Sequence, residues 1–143
     1  MWNAIVLLIS SGIAAVCVSL HYETIRALGR FVAHTAIGRQ RVLVVVIGLL
    51  AAHVAEIWLF AAAYLGLAHW PELGTIRAAH PLAYMDLVYY SSVVFTTVGF
   101  GDMVPDGAIR MMTATEALLG FALLTWSASF TFLEMERFWP AGE

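Results

Sequence analysis

The segment Thr96-Thr97-Val98-Gly99-Phe100-Gly101-Asp102-Met103 holds the residues best suited to chemistry. Gly99 and Gly101 can adopt φ > 0 at no steric cost, while the residues between them stay at φ < 0. Such alternation turns successive carbonyls to one side, where an ordinary strand points them to opposite sides. Carbonyls of Thr97, Val98, Gly99 and Phe100, with the Thr97 hydroxyl below them, then form a ladder of oxygens. Several copies around an axis replace a cation's hydration shell, whose uncompensated loss costs on the order of tens of kcal/mol. No nucleophile, base or metal constellation survives the spacing test, so the chain reads as a non-enzyme that needs no cofactor.

A glycine pair alone marks turns everywhere and proves little. Here the pair follows two threonines, precedes a carboxylate and lies between two long apolar stretches. Residues Ser91 to Pro105, SSVVFTTVGFGDMVP, resemble the pore signature of tetrameric potassium channels. With its flanking helices the resemblance covers about residues 42–135. It implies an all-α membrane protein with three transmembrane helices, a re-entrant pore helix and a selectivity-filter loop, assembled as a fourfold homotetramer. It also implies passive conduction of K+, the permeant ion, coordinated at Thr97, Val98, Gly99 and Phe100, with Gly101 completing the filter. Thr96, Asp102, Tyr89 and Tyr90 are its expected supports. Phe100 stands where the best-known members carry Tyr, so a hydroxyl tie from filter to helix is missing. Tyr89 and Tyr90 replace a frequent Trp pair, and Tyr89 is a candidate donor to Asp102. Val93 replaces the buried Glu of some members, which excludes a carboxylate dyad with Asp102. Gly120 matches the glycine that lets the inner helix bend in related channels; close helix packing is its other reading.

Composition agrees with a membrane setting. Hydrophobic residues make up 62% of the 143-residue chain and charged ones 12%, outside the habits of soluble domains. No basic block suits nucleic acid. Lone Cys17 excludes an internal disulfide and reads as a small hydrophobe. The expected organisation is an N-terminal transmembrane helix at 1–22, a cytoplasmic interfacial linker at 23–41, the pore domain at 42–135 and a short cytoplasmic tail at 136–143. Within the pore domain lie an outer helix 42–68, a pore helix 82–95, a filter 96–102 and an inner helix 107–135. A cleaved signal peptide is the rival for the first span, but Met1-Trp2-Asn3 offers no positive leader. Arg26, Arg30, Arg39, Arg41 and Arg137 fall on one side of the spans, Arg77 and Arg110 on the other. The positive-inside rule then puts the N-terminus outside and the C-terminus in the cytoplasm, and the resemblance implies the inner membrane of a prokaryote. In the linker, Ile25, Leu28, Val32 and Ala36 recur at helical spacing, an apolar stripe suited to the headgroup plane.

Polar residues inside spans are expensive and must face protein or water. His53 and Glu56, three apart on one face of the second span, form with Glu116 of the third a possible intramembrane polar cluster. A metal site is disfavoured, because His-x-x-Glu supplies two ligands and spacing reveals no third. His21, His34, His69 and His80 are expected at span edges. Counting from Gly120, residues Phe121, Leu124, Ala128 and Phe132 share one inner-helix face, with Glu136 at the inner mouth. They are the candidates for pore lining and gate, Phe132 above all. The expected partners are K+, membrane lipid and three further copies of the chain, with no nucleic acid. Two alternatives stand beside the potassium-selective channel: a weakly selective cation channel of the same architecture, and a non-conducting subunit of a transport complex.

Overall fold

A computed structural model describes residues 1–35 and 40–138. Helix α1 spans Trp2–His34, α2 Arg41–Leu67, α3 Tyr84–Phe95 and α4 Arg110–Phe138. Short 3-10 turns at Pro71–Leu73 and Gly107–Ile109 join them. Strands β1 (Thr75–Arg77) and β2 (Val104–Asp106) pair antiparallel, with Ile76 opposite Pro105. Three helices, ending at His34, Leu67 and Arg137, are long and apolar enough to cross a membrane. Among the described residues the fold is mainly helical, with one small ribbon that the sequence reading did not foresee.

The first correction concerns α1. The expected boundary near residue 22 does not exist, because the helix runs unbroken to His34. At 1.5 Å per residue it is about 50 Å long, well beyond a hydrocarbon core of about 30 Å. The stripe Ile25, Leu28 and Val32, assigned above to the headgroup plane, packs instead on Val45 and Leu49 of α2 and on Phe130 of α4. Arg26 and Arg30 stay exposed on the other face. Helix–helix burial, with no proline to stop the chain, therefore extends the first span through most of its linker. Ala36 and Arg39 of that linker lie outside the described residues.

The second correction is smaller. Helix α3 begins at Tyr84, two residues after the expected start, so Pro81 lies ahead of the helix and outside its first turn. Ala83 is the N-cap in extended conformation, and its N–H donates to the Asp86 carboxylate at 2.7 Å. That bond satisfies one donor at the helix start, and the carboxylate suits the positive end of the dipole. The inner helix continues through Phe138, so Glu136 and Arg137 are helical, where a tail was expected. Residues 139–143 of that tail lie outside the described residues.

Helix α1 packs along both α2 and α4, and α3 is wedged between α2 and α4. Phe60, Tyr64, Phe95, Ile109, Met112 and Leu123 form the centre of the core. Cys17 is buried there as well.

Candidate functional site

The loop after α3 has an unusual backbone. Thr97, Gly99 and Gly101 sit at φ 60°, 57° and 81°, whereas Val98 and Phe100 do not have positive φ. Alternation therefore begins one step earlier than the glycines required. A β-branched residue such as Thr97 in the left-handed region carries strain of order 1–3 kcal/mol. Sequence reasoning missed this, since Thr gives no signal for positive φ.

What holds the loop is the end of α3. The N–H of Thr97 donates to the Val94 carbonyl at 2.9 Å. The N–H groups of Val98 and Gly99 both reach the Val93 carbonyl, at 3.1 and 3.3 Å. Orphan carbonyls at a helix C-terminus thus take up the loop's amides. Among the described residues, no donor reaches the carbonyls of Thr97, Val98, Gly99 or Phe100. All residues from Thr96 to Asp102 are exposed, with Val98 at 55% and Phe100 at 69%. Two large apolar side chains beside free carbonyls are poorly served by water.

Around the loop, Thr96 donates its hydroxyl to the Ser92 carbonyl at 2.7 Å. Tyr89 donates to the Asp102 carboxylate at 2.9 Å, and that donation raises the phenol's pKa above its ordinary value. Tyr90 is buried, its hydroxyl 2.9 Å from that of Thr113, and meets Tyr64 edge to face. Gly120 has a packing reason. A Cβ there would come within 2.0 Å of the Phe95 carbonyl oxygen, so α4 crosses the end of α3 only because no side chain intervenes. The helix runs unbroken through it. On α4, Phe121, Ala128, Phe132 and Glu136 are exposed, whereas Leu124 is half-buried against the core.

The expected polar cluster separates into two. Glu116 accepts from Tyr64 at 2.6 Å and from the Ser91 hydroxyl, bonding α4 to α2 and α3. His53 and Glu56 belong elsewhere, and their third member is His21. That histidine is 0% exposed, where a span-edge position was expected. His21 Nδ1 lies 3.0 Å from Glu56 Oε1, and His53 Nδ1 lies 2.9 Å from Glu56 Oε2. Their Nε2 atoms lie 3.2 and 3.0 Å from Ser127 Oγ. The third side chain of a potential ligand set, which local spacing could not reveal, thus comes from α1.

The model of the family described as Ion channel matches residues 52–137, from mid-α2 through the loop to the end of α4. No curated protein and no solved structure matches the chain.

Proposed function

Since the chain belongs to the ion-channel family, of the two-transmembrane potassium-channel pore type, we propose that it is a potassium-selective channel. It is a multi-pass membrane protein, and its family membership supports passive ion conduction. The observation that carries the selectivity is the sign alternation of φ through Thr97, Val98, Gly99, Phe100 and Gly101. A backbone of that kind lines its carbonyls along one side, while α3 takes up the amides. Four such loops around an axis would surround K+ with carbonyls of Thr97, Val98, Gly99 and Phe100 and with the Thr97 hydroxyl. One chain supplies one loop, so ring closure calls for a homotetramer of cyclic symmetry. The exposed Val98 and Phe100 then gain neighbours from adjacent copies.

In this reading α3 is a re-entrant helix. Its 12 residues reach about 18 Å, too short to cross the bilayer. Its C-terminal end directs partial negative charge toward the cavity below the loop, favouring a cation there. Thr96, Tyr89 and Asp102 brace the loop against α3, while the expected support Tyr90 instead ties α3 to Thr113 of α4. In this reading the filter opens outward and the C-terminus is cytoplasmic, an orientation that the arginine distribution favours by the positive-inside rule, and the membrane is the inner membrane of a prokaryote, as the family resemblance implies. Phe132, exposed near the inner end of α4, is positioned to close a hydrophobic constriction with its three symmetry copies.

Potassium flux in proteoliposomes tests this reading. The purified chain should pass K+, stop on addition of barium, and leave Na+ largely excluded. Equal Na+ and K+ flux would favour the weakly selective alternative, and no flux of either ion would favour the non-conducting one.

A further inference from the structure

The ring of His21, His53, Glu56 and Ser127 draws on α1, α2 and α4 and has no part in the loop's chemistry. It is sealed: His21 and Glu56 are 0% exposed, His53 6% and Ser127 8%. The two imidazoles stack with centroids 5.1 Å apart, so their Nδ1 atoms converge on the same carboxylate. One ligand atom from each of His21, His53 and Glu56 lies within 4.8 Å of the others.

Counting protons shows what the ring lacks. Each of its four contacts needs one proton between the two heavy atoms. An ionised Glu56 brings none, two neutral imidazoles bring one each, and Ser127 brings one. With both imidazoles neutral and Glu56 ionised, one contact is left with lone pair facing lone pair in a buried place, which is costly; a further proton on one imidazole and a bound cation are the two ways to remove it. A divalent cation removes the mismatch. Bound to both Nδ1 atoms and the carboxylate, it leaves each imidazole with an Nε2–H. Ser127 Oγ accepts both of these with its two lone pairs, and its own proton is free for the α4 backbone. Metal-bound histidines ordinarily have such a partner on the second nitrogen. The cation also neutralises a carboxylate that is otherwise expensive at membrane depth.

We propose that His21, His53 and Glu56 bind one divalent transition-metal ion of the zinc type per chain, with Ser127 orienting both imidazoles. Two imidazole nitrogens and one carboxylate suit zinc over magnesium or calcium, which prefer all-oxygen sites. A tetrahedral ion with arms of about 2.0–2.1 Å sets its ligands about 3.3 Å apart. The two imidazole nitrogens lie 2.9 and 3.0 Å from different oxygens of the same carboxylate, and one ligand atom of each residue lies within 4.8 Å of the others, so the three side chains close on an ion by drawing together around it. Three protein ligands leave a fourth position for water. The bound ion locks α1 to α2, and Ser127 passes the constraint to α4. None of this depends on which ion the loop conducts.

The test uses the full chain in mild detergent, stripped with a chelator and titrated with Co2+, then with Zn2+. Visible absorption reports Co2+ coordination and elemental mass spectrometry reports Zn2+ content. About one ion per chain is expected, with the Co2+ spectrum of a tetrahedral nitrogen–oxygen site. Glu56→Gln and His21→Gln should lose it, and Ser127→Ala should weaken binding about 10–100-fold. A triple variant of the exposed His34, His69 and His80 to Gln should bind as the parent does. Buried substitutions put folding at risk, so the parent titration decides by itself. Binding below about a tenth of an ion per folded chain overturns the proposal. So does a full equivalent retained by folded His21→Gln, or lost in the triple variant.

Discussion

In the Thr96–Asp102 loop the polar atoms are backbone carbonyls in an exposed stretch, held by the amides behind them. In the His21–His53–Glu56–Ser127 ring they are side-chain atoms, sealed between three helices. The loop is local: every bond that shapes it reaches back no further than α3. The ring is long-range, closing a contact between residues 106 apart in the chain. A local backbone device can be rewritten by one methyl group without touching the fold. A long-range side-chain device should do the reverse, bearing on fold and assembly while leaving the loop's chemistry intact.

The strongest test of that contrast is Gly99→Ala. A Cβ at Gly99 meets nothing within 4 Å, so no clash opposes it, but φ of 57° does. Left-handed backbone costs an alanine roughly 1–2 kcal/mol, repeated in each copy around the axis. Selective conduction should disappear while thermal unfolding in detergent stays near the parent value, as paired flux and melting measurements would show. Next comes His21→Leu, which leaves Glu56 with one partner fewer in a buried site. It should destabilise the chain by about 3–5 kcal/mol. The K+/Na+ preference of molecules that remain folded should not move. If that preference collapses instead, loop and ring are not separable.

Thr97→Ala should have a graded effect. It removes the hydroxyl oxygen while keeping the carbonyls of Val98, Gly99 and Phe100, so single-channel conductance should fall several-fold with selectivity retained. Effects as severe as those of Gly99→Ala would mean that the hydroxyl, not the carbonyl ladder, dominates. Tyr89→Phe should do least. It removes an exposed donor to Asp102 and should shorten open time with little change in conductance, read from single-channel records.

The same contrast explains what the sequence allowed to be read. Gly99 and Gly101 announce a loop of alternating φ sign, because glycine spacing is a local property. The three long apolar runs announce three helices for the same reason. The left-handed Thr97 stayed hidden, since it follows from α3 carbonyls capturing the amides of residues 97–99. His21 was assigned to a span edge because nothing in Leu20-His21-Tyr22 points to Glu56. Only the packing of α1 on α2 brings it there, and the same packing carries the first helix to His34. Gly120 was ambiguous in sequence, because bending and close approach call for the same residue. A Cβ added at Gly120 would lie 2.0 Å from the Phe95 carbonyl oxygen, so close approach is the reading the packing supports.

The central claim is that the loop coordinates K+ and discriminates against Na+. Its most direct test is the reversal potential of the purified chain in planar bilayers, with K+ on one side and an equal concentration of Na+ on the other. The account predicts a potential far from zero, carried by K+, and its loss in Gly99→Ala. A parent reversal potential near zero, with measurable current, would contradict it.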